Sequence, residues 1–308
     1  MAGDAASGAS VSVVVPVLNA GAHLRGLLSA VFGQEPEPPG EVILVDSGST
    51  DETVAIASQF ERVRVVPIVD FSHGRSRNLG ARAARGDIVV FLTQDAEPAD
   101  DGWLRHLLAP FAEPRVGAAC SRQVPRPGAS PVERFFLAKR FPPESAVREP
   151  PRDGLKLRLE DVLFSNVSSA VRGECLQEHP FDESLIMCED QQLSRDLLRS
   201  GHAVAYAAES VVVHSHAYTF GQTFKRYFDS AYALAAVLDG HTAAGDAKAG
   251  LLYTAEEFVF VLRRYPLWLP RYALHVLAKV LAVPLAHCAD RLPTWILRRV
   301  SMHSYHWA

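Results

Sequence analysis

Apolar and polar positions alternate along the first two thirds of the chain in a rhythm that predicts strands and helices in turn. Val11 opens an apolar run (VSVVVPVL), a helical spacing follows through Leu24, Leu27, Leu28 and Val31, and a second apolar run covers Val42–Val45 and ends in Asp46. Ser49 and Glu52 have the spacing of a capping box ahead of Val54, Ile56 and Ala57, and a further strand is predicted over Arg62–Ile68. Ser76–Ala84 then reads as a helix, and Asp87–Thr93 (DIVVFLT) as a strand buried on both faces. Asp100 or Asp101 is placed to cap a helix carrying Trp103, Leu104, Leu107, Leu108 and Phe111.

The rhythm breaks at Pro125–Pro151, a Pro-rich stretch with a helix at Val132–Arg140, which predicts a long excursion over the active face. Asp161–Val171 is expected to return to the sheet, Cys188–Ser200 to form a helix closed by Gly201, and Ala203–Val213 to add another strand. From Thr219 the pattern is helical and aromatic, with Pro266, Pro270, Pro284 and Pro293 expected to break it into segments. The prediction is an α/β fold: a mixed, mostly parallel sheet flanked by helices over 11–220, after a disordered N-terminus at 1–10 and before a helical region at 221–308. Ligands of such sheets bind beyond the carboxyl ends of the strands, which directs attention to Asn19, Asp46–Asp51 and Thr93–Asp95.

Composition fits a folded globular protein, with 308 residues, 48% hydrophobic and 21% charged. A net charge of −4 gives no electrostatic reason to expect nucleic-acid binding. The charge is uneven, since residues 251–308 carry seven Lys/Arg against three acids. Four scattered cysteines without a CxxC pair argue against a disulfide scaffold and a cysteine zinc site. The first ten residues, MAGDAASGAS, do not read as a secretion signal, so a cytoplasmic location is expected.

Neither GxGxxG nor GxxxxGK[ST] occurs, which makes a dehydrogenase or a P-loop kinase a poor reading. In their place stand VPVLN at 15–19 and VDSGSTD at 45–51, two polar turns at strand ends. Asp46 in such a turn can accept the imide N–H of a uracil or thymine ring, or Asp46 and Ser49 simply build a turn and a helix cap. Arg75, Arg77 and Asn78 of DFSHGRSRNLG fall at a predicted helix start, where arginines and free N–H groups suit a diphosphate. Asp95 of FLTQDAEP ends the most apolar strand and can hold a divalent cation against phosphate oxygens. Glu189 and Asp190 open a helix but point about 100° apart, so one can act as a base while the other is structural. His214 and His216 follow a strand on the same side, spaced for metal or phosphate contact.

Taken in order, VPVLN, VDSGSTD, RNLGA, FLTQDA, ED and HSH resemble a family-2 glycosyltransferase of the GT-A (Rossmann-like) fold over roughly 11–220. HGRSRNLGA, SNVSSAVR, HSHAYTFGQTFKRYFD and the C-terminal LPTWILRRVSMHSYHW look like bacterial rhamnosyltransferases that build surface polysaccharides. The resemblance implies an inverting transferase moving L-rhamnose from dTDP-L-rhamnose to a saccharide or lipid-linked oligosaccharide acceptor. It implies that Pro16, Asn19, Asp46 and Ser49 hold base and ribose, and that Arg77 and Asp95 hold diphosphate and Mg²⁺ or Mn²⁺. Arg75, Asn78 and Gln94 join that nucleotide-sugar set, His214 and His216 the metal set, and Asp190 becomes the base beside Glu189. Thr93 stands where most members have the first Asp of a DxD, which puts metal dependence in question. The alternatives are a UDP-hexose or GDP-mannose donor, or a non-catalytic nucleotide-sugar-binding scaffold.

Leu267–His287 is long and apolar, yet Arg271 and Lys279 within it each cost about 2.5–3.5 kcal/mol at a bilayer centre. With Pro270 and Pro284 they favour a helix lying on the inner membrane surface over one that spans it. Phe258, Tyr265, Trp268, Trp295 and Trp307 would seat at the interface, and Arg263, Arg264, Arg298 and Arg299 would face anionic lipid. The competing expectation is that these helices pack on the catalytic domain, or on a second copy to give a homodimer.

Overall fold

The computed structural model describes residues 9–151, 157–238 and 243–307, so the expected disorder of 1–10 falls almost wholly outside the described residues. The chain divides into two compact units: Met1–Val124 with Phe141–Ser184 and Glu189–His214, and Pro125–Arg140 with Leu185–Cys188 and Ser215–Ala308.

In the first unit, strand and helix alternate as β1 (Val11–Val17), α1 (Gly21–Phe32), β2 (Glu41–Asp46), α2 (Thr53–Ala57), β3 (Val63–Pro67), α3 (His73–Ala83) and β4 (Ile88–Leu92). β5 (Glu97–Pro98), α4 (Trp103–Leu108) and β6 (Val116–Val124) follow; the second unit's α5 (Pro131–Arg140) intervenes before β7 (Ala146–Arg148), β8 (Ser168–Arg172) and α6 (Gly173–Glu178). α7 (Glu189–Arg199) and β9 (Ala203–Val213) complete it. The sheet order is β3-β2-β1-β4-β8-β6-β9-β5, with β7 also paired to β9. β3, β2, β1 and β4 are mutually parallel, β8 is antiparallel to both its neighbours, and β9 runs parallel to β6. Strand order reverses between β1 and β4, so the carboxyl ends of β1, β2 and β4 surround a switch point.

Successive side chains point to opposite faces of the sheet, and β1, β2 and β4 are buried on both. Val13, Val15, Val42, Leu44, Val90 and Leu92 share a core with Leu24 and Leu28 of α1 and Trp103 and Leu107 of α4. The alternate residues Val14 and Val45 meet α3, where Gly80 of the RNLGA motif has no room for a side chain: a Cβ there would lie 2.2 Å from Val14 Cγ1. Gly80→Ala is therefore expected to cost about 1–3 kcal/mol by overpacking, read as a lower urea midpoint.

Several local expectations are corrected. Ser49 does not cap α2, which has no side-chain cap; its hydroxyl is taken by Asp46. α3 begins at His73, not Ser76, with Ser72 accepting from Arg75 N, because Ser72 is extended and its hydroxyl reaches the third N–H. α4 is preceded by Gly102, and Asp100 reaches only Gly102 N. The Pro-rich stretch is not all excursion, since Ala146–Arg148 pairs with Val204–Tyr206 of β9. Residues 161–167 lie outside strand β8, and β9 matches its expected span.

The second unit contains α5, α8 (Phe220–Val237), α9 (Ala243–Arg264), α10 (Leu269–Ala286) and α11 (Thr294–Val300). α8 starts at a full capping box between Thr219 and Gln222. Phe228 of α8 packs with Ala282 and Ala286 of α10, small residues that let the two helices approach. Pro284 stays inside α10 and does not end it, whereas Pro270 sits in its first turn and Pro293 is the residue before α11.

Candidate active site

Three turns at the carboxyl ends of β1, β2 and β4 are tied to one another through side chains. Asn19 takes a left-handed φ of 50°, donates its N–H to Ser49 Oγ at 2.9 Å, and accepts Thr50 N–H at its own Oδ1. Ser49 Oγ in turn donates to Asp46 Oδ1 at 2.5 Å, and Gly48, at φ 92°, supplies the bend that a side chain would resist. Gln94 clasps Leu18 from the third turn, accepting its N–H at 2.8 Å and donating to its carbonyl at 3.2 Å. Pro16 pairs in register with Val45 one step inside this rim. Asp46 is buried and Ser49 half-buried, so the turns form a built wall and not a loose loop.

Asp95 follows β4, and His214 follows β9; the two meet with His214 Nε2 3.5 Å from Asp95 Oδ2. His214 Nδ1 donates to Gln123 Oε1 at 3.2 Å, which fixes the tautomer and leaves Nε2 as a ligand atom facing the carboxylate. Gln123 is itself held by its Nε2, donating to Ser165 Oγ. Nearby in sequence, Thr93 Oγ1 is buried and has no hydrogen-bond partner among the described residues. A carboxylate and an oriented imidazole 3.5 Å apart make a donor pair that fits a divalent cation. β9 ends at Val213, so both histidines lie past the strand; His216 belongs to the second unit, where its N–H reaches Glu133 Oε1 and its ring stacks on Tyr218.

Glu189 and Asp190 open α7 and have different environments. Glu189 is buried against Arg77, with Nη1 to Oε1 at 2.8 Å, and Arg77 also donates to the His73 carbonyl. Burial opposes ionisation of Glu189, but the charges of Arg77 and His73 outweigh it and hold its pKa below the usual range. Asp190 is pushed up to about 6, first by burial and then by the neighbouring Glu189 charge. Its carboxylate accepts the N–H groups of Asn166 at 3.3 Å and Gln191 at 3.0 Å.

Because α3 starts early, Arg77 and Asn78 sit inside the structure and not at an open helix start. Asn78 binds both the N–H and the carbonyl of Phe181 and donates to Glu183, while Arg75 pairs with Glu183 at 3.1 Å. These residues hold the 181–183 loop, whose link to α3 lies too far away in sequence to be read locally. Sequence reasoning assigned no role to Gln123 or Asn166; the latter stands in SNVSSAVR, and its contribution to Asp190 is a backbone group with no side-chain signature.

Residues 12–153 match the family model described as Glycosyl transferase family 2. The O-antigen chain rhamnosyltransferase RfbN of Salmonella typhimurium is 33% identical over 302 residues, covering 96% of each chain. WbaN of Salmonella anatum, also named an O-antigen chain rhamnosyltransferase, is 32% identical, covering 97% of this chain and 96% of its own. Among solved structures, mannosyltransferase PcManGT of Pyrobaculum calidifontis, in complex with GDP-Man and Mn²⁺, superposes with a TM-score of 0.56 at 20% identity over 97% of this chain and 85% of that one. The architecture is GT-A, a mostly parallel sheet with the turns after β1, β2 and β4 gathered at one switch point. The chain belongs to glycosyl transferase family 2, and it is an enzyme of that family.

Proposed function

We propose that this enzyme moves L-rhamnose from dTDP-L-rhamnose to a lipid-linked saccharide in surface-polysaccharide synthesis, with inversion at the anomeric carbon, at the inner face of the cell membrane. The observation that carries the mechanism is the division of labour in the ED pair. Glu189 is committed to Arg77, which leaves Asp190 as the one carboxylate of the pair suited to take a proton near neutral pH. A sugar hydroxyl deprotonated by Asp190 attacks the anomeric carbon as the bond to the nucleotide diphosphate breaks. One displacement inverts the centre, and no second carboxylate is needed as a nucleophile.

Asn19, Asp46, Ser49 and Pro16 take the base and ribose at the wall of turns, with Gln94 fixing that wall to the β4 end. Asp95 and His214 each offer one ligand atom for a divalent cation, and the imidazole favours Mn²⁺ over Mg²⁺. Such a cation supplies charge for the leaving diphosphate. The Salmonella relatives' names point to rhamnose, and their match across nearly the whole chain supports carrying that donor over.

Thermal unfolding with dTDP, UDP and GDP, each with and without Mn²⁺, tests the reading. Ligand at about 100 times its dissociation constant adds roughly 2.7 kcal/mol to stability, so the dTDP shift should exceed the others and grow with Mn²⁺ in the wild type. In His214→Ala the Mn²⁺ increment should vanish while the metal-free shift remains. A larger shift with UDP or GDP would replace the donor, and no shift with any nucleotide would favour a scaffold.

A further inference from the structure

The outward side of α10 carries no charged residue for nearly three turns. Ala273, Leu274, Leu277, Val280, Leu281 and Pro284 are exposed along it, recurring at helical spacing, and Leu267 just before the helix is almost fully exposed at 97%. The charge that interrupts this stretch in the sequence is not on that face: Lys279 turns inward and its Nζ donates to buried Glu257 Oε2 at 2.6 Å. α9 continues the feature with Phe258, Val259 and Leu262 exposed. A soluble helix ordinarily presents polar residues on this side.

The surroundings specify what covers it. From residue 258 onward Arg263, Arg264, Arg271, Arg291, Arg298 and Arg299 are exposed, against a single acid, Asp290. An apolar face flanked by arginines is complementary to an anionic bilayer surface, with leucines among the acyl chains and guanidinium groups at the phosphates. Trp295 is exposed at 63%, whereas Trp307 packs on Tyr232 at 5.0 Å and Trp268 joins the packing around Val132, Val261 and Tyr272. Trp268 and Trp307 are thus partly packed within the second unit, while Phe258 and Trp295 are the exposed aromatics of the expected interfacial set.

We infer that the exposed α9–α10 face, with its flanking arginines, seats this enzyme in the plane of an anionic membrane without spanning it. This rests on the peripheral location proposed above and adds the surface and its chemistry. The opposite side of α10 is committed to α8 through Phe228, Ala282 and Ala286 and to α9 through Lys279 and Glu257, so α10 is a lateral member of a packed bundle, half out of it.

Vesicle flotation of the full chain, with phosphatidylcholine alone or mixed with phosphatidylglycerol, tests it alongside sedimentation in the absence of lipid. Wild type should float with the anionic vesicles, and Leu277→Glu/Val280→Glu should bind at least about tenfold more weakly with an unchanged far-UV circular dichroism spectrum. Arg263→Gln/Arg271→Gln should lose the preference for phosphatidylglycerol while keeping residual binding. If wild type does not float, the peripheral location fails. If it floats and the Glu variants float equally well, the location stands and this face is not the seat. A wild-type dimer that the Glu variants convert to monomer, without vesicle binding, would assign the face to a second copy and overturn the inference.

Discussion

Asp190→Asn is expected to lower kcat by about 10²–10⁴ and to leave nucleotide binding intact. The amide occupies the same volume, and its oxygen can still accept from one of Asn166 and Gln191, so the start of α7 keeps one of its two backbone contacts. The capacity to take a proton is lost with the other, and a small loss of stability accompanies it. The same assignment fixes a pH dependence. A base must be ionised to act, and with Asp190 raised to about 6 the wild-type rate should fall about tenfold per pH unit below that value, instead of below the ordinary aspartate range near 4. Glu189→Gln should move this limb to lower pH, because it removes a like charge and leaves the Arg77 cation, and both changes favour ionised Asp190. Steady-state profiles with a saturating donor would read the shift. Loss of nucleotide binding together with activity in Asp190→Asn would make the residue structural.

How far these features were legible before the structure depends on the distance over which each is built. The strand ends were readable because an apolar run stops at a polar residue, and Asn19, Asp46 and Asp95 all lie where the sheet places ligands. β9 was readable because Ala203–Val213 is an apolar-rich run, broken only by Glu209 and Ser210, after the Gly201 stop. What escaped is pairing. Ser49 has the local spacing of a cap, but Asp46 and Asn19 compete for its hydroxyl and win through the meeting of two turns. Arg77 looks like an open cation on a helix until Glu189, from the other end of the unit, closes on it. Lys279 reads as a fault in an apolar helix until Glu257 supplies its partner on a neighbouring one. β7 is three residues in a Pro-rich stretch, too short to leave a period. Residue type and local rhythm locate the candidate site; which side chains are committed within it is set by contacts remote in sequence.

The largest effect on stability is expected from Arg77→Met. It removes the partner of a buried carboxylate while keeping most of the side-chain volume, and breaking a buried ion pair from one side costs about 3–5 kcal/mol. Urea unfolding should show the loss as a lower midpoint with little change in slope. Arg77→Met/Glu189→Gln should recover most of it, since the second change removes the stranded charge, and the two residues should therefore show strong non-additivity in the cycle. If single and double variants are equally destabilised, Arg77 acts through packing and not through Glu189. Stability alone is a weak reason for this arrangement. Arg77 Nε is buried with no hydrogen-bond partner among the described residues, so the pair carries an unmet donor as well as the desolvation of two charges. An apolar pair of similar volume would hold α3 to α7 without either cost, but would leave no fixed charge beside Asp190. The double variant separates the two: it should fold nearly as well as wild type and show an altered acid limb in its rate, because neither Glu189 nor Arg77 would then act on the base.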